Sequence, residues 1–189
     1  TTYFKKEAFS YFNEGNYSPT SLQMTSTTWS NVWRGIRQCY MFLAIVDKTK
    51  NMNPEEIIRY KAEVNFLIAY YHFISLRSYG PTVIIDKLTN ENIPITEFPE
   101  RSSFDEVVAF IDKKIDEALP GLAEEHISTD FGRITKYTAL ALRSRMYLYA
   151  ASPLYNGNSD MYADFVSKLD GRHLIAQQYS RDKWQKAIA

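Results

Sequence analysis

Between residues 60 and 80, YKAEVNFLIAYYHFISLRSYG, the apolar positions fall on two separate helical stripes. Ala62, Phe66, Ala69, Phe73 and Leu76 recur at steps of four and three, and Val64, Leu67, Tyr71 and Ile74 run down another side. A helix that is apolar on two flanks has to be covered on both, so this segment is predicted to lie sandwiched between neighbours. It ends at Gly80-Pro81, where glycine can take the left-handed terminal conformation and proline cannot continue the helix. Its start is written in Asn53-Pro54-Glu55-Glu56: Asn caps, Pro suits the first turn, and Glu56 stands three residues past the cap.

The same period marks the rest of the chain. Trp29, Trp33, Ile36, Tyr40, Leu43 and Val46 form a broad apolar face that predicts a helix from Trp29 to about Asp47. Ser103-Phe104-Asp105-Glu106 reads as a capping box, and Phe104, Val107, Val108, Ile111, Ile115, Ala118 and Leu119 form the stripe behind it, closed by Pro120-Gly121. Ile134 to Ala151 is predicted as the next helix, with Ala139, Ala141, Ala150 and Ala151 permitting close approach and Arg143 and Arg145 read as salt-bridging or snorkelling. Ser152-Pro153 stops it, and Arg181-Asp182-Lys183-Trp184 opens another. Residues 1 to 28, 81 to 101, 121 to 133 and 153 to 179 carry turn chemistry instead, with Val83 to Ile85 as a short extended piece.

These helices repeat. Trp29, Phe104 and Trp184, which open successive first helices, are 75 and 80 residues apart, and Ala62 and Ala139 in the second helices are 77 apart. The expected fold is all-α: tetratricopeptide-like helical hairpins in a right-handed superhelix, with long irregular loops. A loop-rich segment, 1–28, precedes a repeat region, 29–189, that breaks off inside its third hairpin.

Composition narrows the function classes. Lys plus Arg and Asp plus Glu each number 22, so no basic surface points to nucleic acid or to an anionic membrane. No run is apolar enough to span a bilayer. Cys39 is the one cysteine and falls inside an apolar face, which reads as an inert buried thiol. His72, His126 and His173 lack metal-ligand spacing. Asn156-x-Asn158-x-Asp160 imitates the start of a calcium loop, but Met161 and Ser167 stand where Gly and Glu are required, so a turn is expected. Neither a metal nor a cofactor is implied, and no carboxylate pair suggests glycoside hydrolysis. The unusual quantity is aromatic content, 15%, with 14 Tyr, 11 Phe and 3 Trp.

Several blocks in order resemble the SusD/RagB family of Bacteroidota outer-membrane substrate-binding lipoproteins. Ala62 to Phe73 followed by Tyr79-Gly80-Pro81 is similar to that family's E-A-x-F-L-R-A-x-x-Y-F…Y-G-x-x-P, with Val64 and Ile68 departing from it. Gly35-Ile36-Arg37 within Trp29 to Leu43 resembles its I-R-x-x-N-x-F-L helix, and Arg101-Ser102-Ser103 with Ile111 to Leu119 its R-x-S…I-x-x-D-L-x-x-A-x-x-L-P segment. Gly132-Arg133-Ile134-Thr135-Lys136, then Ser152-Pro153-Leu154-Tyr155-Asn156-Gly157-Asn158, resembles G-R-x-T-K…S-P-L-F-N-G-N, with Tyr137-Thr138 departing.

The resemblance implies a non-catalytic, lipid-anchored protein of the cell surface that captures glycans and hands them to a SusC-like TonB-dependent outer-membrane transporter. In some members of such a family the ligand is an oligopeptide; a general protein-binding helical scaffold is the reading that needs no family. It also implies that the lipid-bearing Cys and a C-terminal region lie outside this sequence. Sugar stacking needs an exposed flat ring with hydrogen-bonding groups nearby, which singles out the loop residues Tyr3, Tyr11, Asn13, Asn16, Tyr17, Tyr155, Asn156, Asn158 and Tyr162. For the transporter contact, the proline-stiffened 81–101 segment offers Ile93, Ile95 and Phe98. Residues 1–189 expressed alone are expected to be helical yet prone to association, because the Ile134 helix would lack cover on one flank. A monodisperse, cooperatively unfolding monomer in sedimentation and thermal melts would refute that expectation.

Overall fold

The structure, a computed structural model, describes residues 15, 18, 23–90 and 92–188. The main helices are α1 (Gln23–Ile45), α2 (Pro54–Tyr79), α3 (Phe104–Ala118), α4 (Lys136–Ala151), the single turn α5 (Ser159–Tyr162) and α6 (Arg181–Ile188). No named strand occurs among the described residues; extended pairing is limited to isolated bridges such as Val83 with Arg101. The expected caps are formed. Asn53 accepts from Glu56 N at 2.8 Å and Ser103 Oγ from Glu106 N at 3.3 Å, while each Glu side chain reaches back to its cap. Each such cap contributes about 1 kcal/mol. Gly80 ends α2 at φ 70° and ψ −144°: the positive φ favours glycine as anticipated, but the residue lies outside the left-handed helical conformation.

Each helix packs on the next, α1 on α2, α2 on α3, α3 on α4 and α4 on α6, which is the arrangement of stacked helical hairpins. α2 is covered on both of its predicted flanks, fully along the first stripe and partly along the second. The Ala62–Phe66–Ala69–Phe73–Leu76 stripe enters the principal core with Phe104, Val107, Ile111 and Ile115 of α3 and Met146 of α4. The Val64–Leu67–Tyr71–Ile74 stripe meets Val32, Ile36, Cys39 and Tyr40 of α1. Between the stripes lies a third line, Ile68, His72 and Ser75, each 0% exposed. Burial pushes the Cys39 thiol up to about 11, so it is the inert thiol its position suggested.

Two boundaries and one role differ from the sequence reading. α1 begins at Gln23, inside the stretch read as loop, because a run rich in Thr and Ser has weak helix propensity and no apolar period. α4 starts at Lys136, with Thr135 Oγ1 accepting from Thr138 N at 3.2 Å. α2 begins at Pro54, where its Asn53–Glu56 capping signal predicts. Ala139, Ala150 and Ala151 are buried as expected, but Ala141 is exposed, one helical position too far round to face a neighbour. Tyr137, Leu140 and Leu148 are exposed on the same helix. Arg143 forms an ion pair with Asp112 at 2.8 Å and contacts Asp116. Arg133 clamps Glu63 through Nε to Oε1 at 3.0 Å and Nη2 to Oε2 at 2.6 Å, fastening the α3–α4 loop to α2.

Beyond the Val83–Arg101 bridge, the described part of the 81–101 segment pairs with no strand, so side chains as well as backbone tie it down. Thr82 Oγ1 and Ser75 Oγ are 2.9 Å apart, and Ser102 N donates to Thr82 O at 2.9 Å. Ile85 is held on both sides: its N–H donates to His72 Nε2 at 3.3 Å and its carbonyl accepts from Tyr40 Oη at 2.9 Å. His72 Nδ1 in turn donates to Ile68 O at 2.8 Å, which fixes the neutral tautomer with Nε2 as acceptor. Farther on, Arg37 Nη1 donates to Thr89 O at 3.0 Å. Val83 to Ile85 thus lies extended against the helices, as read from the sequence, with Ile84 and Ile85 packed on the two cores.

Two tests follow from this packing. A Cβ on Gly35 would stand 2.7 Å from the Tyr71 ring, so Gly35→Ala is expected to lower stability by about 1–3 kcal/mol in urea titrations. Combining it with Tyr71→Ala should cost less than the sum of the single changes; strict additivity would refute the contact. The second concerns acid. Burial holds the His72 imidazole at about 4, below its ordinary 6.5. The unfolded chain therefore binds a proton that the folded chain refuses, so this stability is complete above 6.5 and lost as pH falls toward 4. Between pH 7 and 5 the loss is roughly 2 kcal/mol. A His72→Gln variant should show a correspondingly flatter decline in urea midpoint over that range, and an unchanged slope would exclude His72 as its source.

Candidate functional site

Once pinned at Thr82, Ile85 and Thr89, the irregular segment stands off from the first half of α1 and leaves a groove of about 340 Å³. Its walls are Trp29 and Trp33 from α1, Val83 and Leu88 from the ascending part of the segment, and Phe98 and Pro99 from the returning part. Trp29 is 40% exposed, yet its ring is fixed: Trp33 meets it edge-on at 5.1 Å and 71°, and Tyr79 at 5.0 Å and 90°. Phe98 is 54% exposed. A large exposed aromatic in a fixed orientation beside a second one is the kind of surface that needs a reason.

One end of the groove opens into a polar cleft of about 460 Å³, bounded by Arg37, Leu88, Thr89, Asn90 and Asn92. Asn90 Oδ1 accepts from the Asn92 backbone N–H at 3.1 Å, and both residues bound the cleft. Arg37, Leu88 and Thr89 belong to both spaces. The arrangement therefore offers flat apolar rings continuous with amide, hydroxyl and guanidinium groups.

The residues singled out from the sequence are distributed as follows. Tyr3, Tyr11, Asn13, Asn16 and Tyr17 lie outside the described residues. Tyr155, Asn156, Asn158 and Tyr162 are brought together after α4, where their contacts are internal. The Tyr155 ring stacks on Phe104 at 4.0 Å and 16°. Asn156 is 4% exposed; its Nδ2 donates to Ser180 O at 2.9 Å, and Ser180 N donates to its Oδ1 at 2.8 Å. Asn158 Oδ1 caps α5 by accepting from Met161 N at 3.1 Å, and Tyr162 leans on Phe165 at 6.0 Å. The calcium-like spacing thus builds a turn and a cap. On the other segment, Ile93 is half-buried, Phe98 is in the groove, and the Ile95 side chain lies outside what is described.

Trp29, Trp33, Arg37, Asn90 and Asn92 were not among the sequence-derived site residues. Trp29 fits the helical period that marks the apolar face of α1, but its ring remains 40% exposed. The signal present in the sequence is the pair of tryptophans four apart opposite a proline-rich, amide-bearing segment, and it becomes legible only when the partner segment is known.

Comparison with known proteins gives a consistent result. The SusD-like family described as "Starch-binding associating with outer membrane" matches residues 4–148. The starch-binding protein SusD of Bacteroides thetaiotaomicron is 28% identical over 160 residues, 79% of this chain and 27% of that protein. Among solved structures, BT4246 superposes with a TM-score of 0.76 at 34% identity, covering 85% of this chain and 28% of its own. A SusD-like protein from Bacteroides fragilis gives 0.63 at 28% identity, covering 75% and 27%. The chain thus spans just over a quarter of the length of the relatives it matches.

Proposed function

We propose, from the fact that the chain belongs to the SusD-like family, that it serves in a non-catalytic outer-membrane protein that binds carbohydrate at the cell surface. The finer reading is that the protein is lipid-anchored, captures glycans and delivers them to a SusC-like TonB-dependent transporter. The observation that carries the proposal is the family match across residues 4–148, which takes in α1, α2, α3 and most of α4. The starch-binding name of the B. thetaiotaomicron relative supports the ligand class. What the fold adds in support is a rigid stack of hairpins whose loops are fastened by side chains, so that a surface is presented with little ordering left to do on binding.

The test is affinity electrophoresis of the full-length protein in gels containing starch, laminarin or other neutral polysaccharides, paired with recovery of the membrane complex from its native host. Retardation in at least one polysaccharide and co-purification of a TonB-dependent transporter are expected. Free migration in every polysaccharide, with retention on an oligopeptide library instead, would replace the carbohydrate reading by the peptide one. Recovery of the protein without any transporter would remove the delivery step.

A further inference from the structure

We propose that the groove between α1 and residues 81–99 is an oligosaccharide subsite, with Trp29 and Phe98 as its stacking faces and Arg37, Asn90 and Asn92 as partners for sugar hydroxyls. The assignment rests on the carbohydrate reading above and gives it a location. A pyranose ring presents a flat C–H face with hydroxyls around its edge, so its site needs an aromatic surface bordered by short-range donors and acceptors. Those two requirements meet here: the Trp29–Phe98 groove runs into the Arg37–Asn90–Asn92 cleft, and both share Arg37, Leu88 and Thr89.

The polar continuation separates this occupant from a purely hydrophobic one. An aliphatic or aromatic anchor from a partner protein gains nothing from two amides and a guanidinium at its end, and would have to desolvate them. A sugar uses both parts. Asn amides donate and accept at once, which suits a hydroxyl that does the same, and the Asn92 amide has no protein partner among the described residues. The site is also built before the ligand arrives. Trp29 is held between two rings, and the opposite wall is tied by the hydrogen bonds of Ile85 and Thr89 to Tyr40, His72 and Arg37. Little entropy remains to be lost there on binding.

Isothermal titration of the full-length protein with maltoheptaose and laminarihexaose tests the assignment. Phe98→Ala and Trp29→Ala are each expected to weaken binding of the accepted oligosaccharide by about tenfold or more, the scale of losing one stacking face. Asn92→Ala should weaken it less, and Tyr137→Ala, an exposed ring on α4, should leave it unchanged. Melting temperatures are taken in parallel; if Trp29→Ala unfolds, Phe98→Ala on the exposed loop still decides. Wild-type binding that survives unaltered in the Phe98 and Trp29 variants would overturn the groove assignment while the carbohydrate reading stands. Loss of the co-purifying transporter in Phe98→Ala with unchanged sugar affinity would overturn it in favour of a protein contact. Absence of binding of any saccharide by the wild type would overturn both readings together.

Discussion

The structure depends on one constraint: α2 must be buried on two flanks at once. Nine apolar positions in two stripes cannot be hidden against a single neighbour, so α1 and α3 are required on either side before α2 is stable. Because burial of each large side chain contributes on the order of 1.5–3 kcal/mol, these two contacts outweigh the caps that begin the helices. The order of the remaining helices follows, since α3 covers one flank of α2 while offering its own other side to α4.

The polar line between those stripes performs a second task. His72 and Ser75 are in the interior, where an unpaired polar group costs about 1–3 kcal/mol. Both are paired, and both to the segment that follows α2: Ser75 to Thr82 and His72 to the Ile85 amide. The cost of burying them is thereby turned into positional information. A segment with no strand to pair with is laid down at defined points on the α1–α2 surface, and the groove is what remains between those points.

Helices, caps and the alternation of hairpins were legible in the sequence because each rests on local period or on a three-residue capping signal, as in Asn53–Glu56 and Ser103–Glu106. The first turns of α1 were not, since Thr and Ser carry no apolar period there. The loop aromatics show the limit most clearly. Tyr155 has the composition of a binding residue and stacks on Phe104, whereas Trp29 has the period of a core residue and remains 40% exposed. Which way a ring faces depends on segments 50 to 70 residues away, Phe104 in one case and Leu88 with Phe98 in the other, and no local pattern encodes that.

The way the 81–101 segment is attached bears on how such a protein can diversify. At Ile85 and Thr89 the scaffold holds main-chain atoms: an amide, and two carbonyls. Of the side chains that line the groove, Leu88 and Phe98 take no part in those bonds, whereas Arg37 supplies one of them. Drift at Leu88 and Phe98 therefore disturbs none of these anchors while it reshapes the surface on offer. One unchanged scaffold can carry many different linings, which lets selectivity evolve by point substitution without a detour through unstable intermediates.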